Sequence, residues 1–225
     1  AQEFPEIVPS FCAGLSLGEY TAMVAAGYLT FEQGLALVEH RSRYMNSAWE
    51  DTEGTMAVVL GLEAEVVEQL VKEVNLPNDL WAANFNCPGQ VVLSGTLKGI
   101  EAGAVAVKAK GAKRVLPLQV HGAFHSGLMR HAQERLAPHI LEAFFNKERC
   151  AVVMNVTGRV EKDLAAIKQN LIEQVTSPVR WEQGMRWMAA EGVDLFVEMG
   201  CGKTLAGFHK RMGLTAPIVS IEKIV

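Results

Sequence analysis

The chemistry-bearing residue that stands out first is Ser16, in the stretch Gly14-Leu15-Ser16-Leu17-Gly18. A serine hydroxyl is a weak nucleophile until a base takes its proton. The GxSxG spacing suits a sharp strand-to-helix turn that lifts the hydroxyl clear of its neighbours. Such a turn would also aim the Leu17 N–H and a helix N-terminus at an oxyanion formed beside Ser16. The pattern is loose, and chance is the competing explanation.

A base has to come from six histidines: His40, His121, His125, His131, His139 and His209. His40 falls mid-helix, and His131, His139 and His209 have polar helical neighbours, so these four read as solvated surface groups. His121 and His125 lie in Val120-His121-Gly122-Ala123-Phe124-His125-Ser126, after a strand and before a helix, where catalytic loops belong. The HxxxH spacing is a weak metal signal. Gly122 interrupts the helix that would align both rings, and no Glu follows His121.

Arg41 is a third feature. Phe31, Leu35, Val38 and Met45 trace an apolar helix face that Arg41 borders, while Arg43 points away. A guanidinium pressed toward a core needs an anion. A bound anionic group and a structural ion pair satisfy that need equally. Gly200-Cys201-Gly202-Lys203 lacks the GxxxxGK[ST] spacing of a phosphate loop and reads as a strand-to-helix turn.

These residues need elements to hold them. Val8–Cys12 is predicted as a strand leading into the Ser16 turn, with a helix after it that stops at Gly27. Thr30 and Gln33 form a capping box for a helix over Phe31–Ala48. Segments 55–60, 63–74, 81–84, 90–94, 97–110 and 113–116 then read β-α-β-β-α-β, with a turn at Asn86-Cys87-Pro88-Gly89. That is the ferredoxin-like order. It predicts a subdomain at 55–117 inserted between 1–54 and 118–225. The second part resumes α/β alternation: a helix over 128–144 that Pro138 should kink or split, a strand at 151–154, a helical stripe over 164–175, a helix at 181–191, a strand at 194–198, a helix near 204–211 and a strand at 217–221. Parallel α/β segments place catalytic groups at the carboxyl ends of strands.

Composition narrows the class. Of 225 residues, 49% are hydrophobic and 20% charged, which excludes a disordered chain. A net charge of −4 with thinly spread Lys and Arg argues against nucleic acid as partner. Cys12, Cys87, Cys150 and Cys201 are well separated in sequence without a CxxC pair, as expected of reduced thiols in a cytosol-like compartment. No apolar run reaches the ~20 residues of a membrane span. The chain opens at Ala1 rather than Met, which leaves organelle targeting open.

Taken in order, the stretches AGLSLGEYTAMVAAG, LVEHRSRYM, NFNCPGQVVLSG, GAKRVLPLQV, GAFHSGLM, SPVRW and EMGCGKTL resemble the malonyl-CoA:acyl carrier protein transacylase family, and are similar to acyltransferase domains of polyketide synthases. The resemblance implies an α/β fold with an α/β-hydrolase-like large subdomain, a parallel sheet and the ferredoxin-like insert. It implies Ser16 as the malonylated nucleophile, His125 as its base, and the Gln174 backbone carbonyl, in place of an Asp, orienting the His. Arg41 would pair with the malonyl carboxylate, and Ala123-Phe124-His125 goes with malonyl over methylmalonyl selection, placing Phe124 at the substrate. Asn84, Asn86 and Asn155 match positions near the site. No metal or resident cofactor is implied; the substrates, CoA and acyl carrier protein, bring their own phosphopantetheine. The expected partners are malonyl-CoA and acyl carrier protein, with Lys203, Lys210 and Arg211 as docking candidates, for a cytoplasmic protein expected to be a monomer with no membrane or nucleic-acid partner.

The sequence departs from the family twice. Leu15 stands where the family has His before the nucleophile. The family's first strand and Gln-x-Gly oxyanion loop precede the point where this sequence starts, so a protein beginning at Ala1 is expected to turn over poorly. A serine hydrolase of the same fold and an inactive carrier-binding fragment are the rival readings.

Overall fold

The computed structural model describes residues 9–222. Residue Val8 of the predicted first strand lies outside them. β1 (Phe11–Ala13) runs into α1 (Leu17–Ala25), which ends where Gly27 takes φ +87°, a conformation open to glycine. α2 (Phe31–Asp51) starts at the capping box: Thr30 accepts from the Gln33 N–H and the Gln33 side chain accepts from the Thr30 N–H.

The predicted face of α2 is not the buried one. Phe31 and Leu35 are 67% and 56% exposed, and the helix buries Gly34, Leu37, Arg41, Met45 and Ala48. Gly34 decides this phase. A Cβ there would sit 2.4 Å from Val24 Cγ2, so only glycine lets α2 approach α1 so closely. Arg41, two turns on, is carried into the middle of the packed face, rather than its border.

Residues 55–117 hold β2 (Thr55–Leu60), α3 (Ala64–Val74), β3 (Leu80–Cys87), β4 (Gln90–Gly95), α4 (Leu97–Ala109) and β5 (Arg114–Pro117). The antiparallel sheet has order β3-β4-β2-β5, the ferredoxin-like arrangement. Alternation sends Val59, Leu80, Phe85, Val91 and Leu93 toward the helices, where Val67 and Val107 meet them. The opposite face presents Met56, Ala83 and Val92 to Leu118, Val120 and Phe124, so it backs the loop that carries His125. The turn predicted at residues 86–89 is tighter: β3 runs on through Asn86 and Cys87, and Gly89 at φ +69° makes the reversal.

The remaining chain supplies α5 (Arg130–Glu142), β6 (Ala151–Val153), α6 (Leu164–Glu173), α7 (Trp181–Ala190), β7 (Phe196–Met199), α8 (Thr204–Met212) and β8 (Ile218–Ile221). α5 runs through Pro138 without splitting; the Glu134 carbonyl that loses its amide partner belongs to an exposed turn, where water can reach it. β1 pairs with β6 and β7 with β8, both parallel, so the described part of the large subdomain has two parallel pairs. Tyr20, Met23, Leu37, Met45, Leu136 and Leu171 lie in the core packed over the first pair. Val153, Val179, Trp181, Met185, Phe196 and Met212 form a second core. The two subdomains are joined by backbone: Phe85 N–H donates to Val179 O at 2.9 Å and Val179 N–H to Ala83 O at 2.8 Å.

Candidate active site

The turn from β1 into α1 forces Ser16 to φ 52° and ψ −103°. A non-glycine residue held there costs about 1–3 kcal/mol, so its surroundings must hold it. Asn155, just past β6, grips both sides of the turn: its Oδ1 accepts from Ser16 N–H at 2.7 Å and its Nδ2 donates to Gly14 O at 2.8 Å. Gly14 is a steric necessity, because a Cβ there would lie 1.9 Å from Gly18 O. Gly18 itself has open space around it, so only the first glycine of the motif is explained by crowding. Leu17 opens α1, and its N–H has no acceptor within the helix.

The loop after β5 puts His125 at φ 58°, with the ring buried. Ser126 pins this loop, accepting from Leu128 N–H at 3.2 Å while donating to Ala123 O. The ring spans two partners: Nδ1 lies 2.7 Å from Gln174 O and Nε2 lies 2.8 Å from Ser16 Oγ. A carbonyl only accepts, so Nδ1 carries the hydrogen, and Nε2 presents its lone pair to the hydroxyl. Burial first, and the Arg41 charge second, push the ring's pKa from 6.5 to about 4. His125 is therefore neutral at physiological pH, as a general base must be.

Arg41 Nη2 donates to Ser16 Oγ at 2.9 Å and to Gln174 Oε1 at 3.1 Å. Its Cζ lies 5.7 Å from the centroid of the Tyr20 ring. Among the described residues no carboxylate lies within 4.0 Å of its nitrogens, and its Nε has no partner. No direct ion pair accounts for the buried charge, and the buried Glu19 carboxylate acts on it only at longer range. The guanidinium is turned to the atom that would carry an acyl group.

Glu19 was not singled out by sequence reasoning. The available signal was its place three residues after Ser16, in the first turn of an otherwise largely apolar helix. It is fully buried, accepting from Asn155 N–H at 2.6 Å and from Gln174 Nε2 at 2.7 Å. Desolvation raises its pKa from 4.5 to about 7, opposed by those two hydrogen bonds and by Arg41.

The structure thus brings Ser16, Leu17, Arg41, His125, Asn155 and Gln174 together. Phe124 adjoins them, packed between the large core and the back of the antiparallel sheet. Asn84 and Asn86 make no hydrogen bond to Ser16, His125 or Arg41. The backbone of Asn84 bridges to Val179, and Asn86 Nδ2 reaches Gln90 Oε1 at 3.3 Å. His121 is exposed, edge-on to Trp49 at 5.1 Å, and is not part of the cluster.

Three of the histidines read as solvated are otherwise placed. His209 is buried against Phe196. His40 and His139 stack at 3.7 Å between α2 and α5, and Tyr44 Oη lies 2.8 Å from His139 Nε2. Helix packing, invisible in local polarity, covers all three. His131 is exposed, 3.5 Å from Asp51. The widely spaced cysteines include one close pair, Cys12 and Cys150, with sulfurs 3.4 Å apart; burial, followed by Cys150, raises the Cys12 pKa to about 12 and keeps it a thiol.

The Gly200–Lys203 turn holds no anion site, because the Glu198 carboxylate already accepts from the Leu205 and Ala206 N–H groups at 2.9 and 3.1 Å. Lys203 lies 3.7 Å from Glu222, and Lys210 and Arg211 are exposed. Among the described residues no group of three His, Cys, Asp or Glu could hold a metal ion, and no helix is long and apolar enough to cross a membrane.

A neutral imidazole on a strained serine, beside a helix N-terminus and a guanidinium with no carboxylate in direct contact among the described residues, can carry out nucleophilic acyl transfer on an anionic acyl group. Comparison with known proteins agrees. The acyl transferase domain profile matches residues 7–217. The malonyl CoA-acyl carrier protein transacylase of Bacillus subtilis (strain 168) is 44% identical over 218 residues, covering 96% of this chain and 68% of that protein. The protein of the same name from Staphylococcus aureus (strain MRSA252) is 38% identical, over 96% and 70%. The crystal structure of an acyl carrier protein S-malonyltransferase from Vibrio cholerae superposes with a TM-score of 0.94 at 38% identity, over 99% and 73%. A malonyl-transacylase solved in complex with its type II PKS acyl-carrier protein gives 0.94 at 37%, over 99% and 72%.

Proposed function

The chain belongs to the acyl transferase domain family, and from that membership we propose that it transfers the malonyl group of malonyl-CoA to the phosphopantetheine thiol of acyl carrier protein, supplying fatty acid synthesis. The observation that carries the choice of acyl group is the Arg41 guanidinium, donating to Ser16 Oγ at 2.9 Å and lacking a carboxylate of its own among the described residues. Relatives named for malonyl transfer support the reading.

In the first half-reaction His125 Nε2 takes the Ser16 proton as Oγ bonds to the thioester carbon. The Gln174 carbonyl holds Nδ1–H and stabilises the imidazolium. The Leu17 N–H, at the positive end of α1, meets the developing oxyanion. As the tetrahedral intermediate collapses, the carbon–sulfur bond breaks and CoA leaves with the proton from His125. Malonyl-Ser16 remains, its free carboxylate beside Arg41. The second half-reaction reverses these steps: the carrier thiol gives its proton to His125, its sulfur bonds to the acyl carbon, and Ser16 Oγ leaves with the proton. Two substrates using one site in turn is ping-pong chemistry.

Transfer and hydrolysis are separated by product. With malonyl-CoA and phosphopantetheinylated carrier present together, malonyl-carrier thioester is expected to account for most of the CoA released. Release chiefly as free malonate would assign the protein to the hydrolases, and carrier binding without any CoA release would mark a non-catalytic binder.

A further inference from the structure

Neither oxygen of the buried Glu19 carboxylate touches Ser16 Oγ, His125 or Arg41, yet all three depend on the residue it holds. Gln174 meets four polar groups of the site. Its main-chain carbonyl receives His125 Nδ1–H. Its Nε2 donates twice, to Glu19 Oε2 at 2.7 Å and to Ser16 O at 2.8 Å, which uses both amide hydrogens. Its Oε1 is left to accept from Arg41 Nη2 at 3.1 Å. We infer that Glu19 is a positioning residue, which fixes the direction of the Gln174 carboxamide and thereby holds the Arg41 guanidinium beside Ser16 for a dicarboxylic acyl group. This rests on the malonyl-transfer reading above.

The orientation follows from donor and acceptor counting. The Ser16 carbonyl only accepts, whatever the state of Glu19, and so does the Glu19 carboxylate when ionised. The amide nitrogen must face both, and the amide oxygen must face Arg41. Turning the carboxamide over would set an oxygen against two acceptors and an NH2 against a cation. The second Glu19 oxygen is fixed independently, because it accepts from the main-chain N–H of Asn155 at 2.6 Å. That residue also clasps Ser16 N–H and Gly14 O, so one carboxylate is braced against the nucleophile's own scaffold. Glu19 is also the carboxylate nearest in function to the Arg41 charge, one amide removed. The general base stands outside this chain of control, since His125 is held by the Gln174 main chain.

Glu19→Gln tests the inference with almost no change of shape. The Asn155 N–H still requires an oxygen, so the new amide nitrogen faces Gln174 and turns its carboxamide over. Losing a charge-assisted hydrogen bond to Arg41 is worth about ten- to a hundredfold. The ratio of malonyl to acetyl acylation rates, normalised to the fraction of acylatable Ser16, should therefore fall by about that factor, with the acetyl rate nearly unchanged. Gln174→Met should lower the same ratio while keeping the carbonyl for His125. A purely structural role predicts parallel loss with both acyl groups. Either that result or an unchanged ratio overturns the inference. If the unaltered protein acylates Ser16 with neither substrate, the malonyl-transfer reading falls, and the inference with it. If it does acylate and only the ratio fails to move, the inference alone falls.

Discussion

His125→Ala is expected to lower acylation by malonyl-CoA by about 10²–10⁴-fold, the usual worth of a positioned general base, while His121→Ala changes it little. Both rings sit in one loop four residues apart, but only His125 has the geometry of a base. Its Nε2 lies 2.8 Å from Ser16 Oγ and its tautomer is set by Gln174 O, whereas His121 is exposed against Trp49. The same ring governs the acid side of the pH profile. The base works when neutral, and its pKa is pushed down to about 4 from 6.5. The limb belonging to His125 should thus lie near pH 4, with the ring still competent well below 6.5. Single-turnover acylation across this range, on variants matched for thermal unfolding, measures both. A larger loss in His121→Ala than in His125→Ala would reverse the assignment, and a His125 limb near 6.5 would show a solvated ring.

Arg41→Ala should abolish most malonyl transfer and spare or increase acetyl transfer. A planar guanidinium can meet a carboxylate through two parallel hydrogen bonds, which an ammonium cannot reproduce. Removing one member of a desolvated charge pair costs about 2–5 kcal/mol, tens to thousands of times in rate when the pair persists in the transition state. Arg41 is only 7% exposed, and desolvation lowers its pKa. With acetyl-CoA the charge stays buried beside a methyl group and gains nothing, so a neutral pocket favours that substrate. Arg41→Lys should restore part of the malonyl rate. Initial rates with the two CoA esters give the comparison. A parallel fall in both, in a protein that unfolds like the parent, would assign Arg41 to the structure of the fold instead.

Much of the scaffold was legible because its signals are local. The Thr30–Gln33 box fixes the start of α2 within four residues, and alternating apolar residues with turn signals mark out the β-α-β-β-α-β insert. The largest apolar residues at the start of α2, Phe31 and Leu35, point to the wrong helix phase, because the face that packs is set by Gly34. Its missing side chain is what lets α1 and α2 meet. Arg41 was therefore expected at the rim and is found at the centre.

The site follows the same division. The strand, glycine and serine pattern marks the nucleophile from a handful of neighbours. His125, Asn155 and Gln174 reach it across 109, 139 and 158 residues, and no local pattern specifies such distances. Gln174 was reached only through family resemblance, and then for its main chain alone. Its side-chain role depends on Glu19, which lies three residues from Ser16 but shows its purpose only once β6 and α6 are folded against α1.

The central claim is that Ser16 carries the acyl group. Intact mass spectrometry of the protein after incubation with malonyl-CoA, followed by peptide mapping, tests it directly. The account predicts one malonyl adduct per chain, located on the peptide containing Ser16, absent from Ser16→Ala and discharged when phosphopantetheinylated carrier is added. An adduct on another residue, or one that persists in Ser16→Ala, would contradict it.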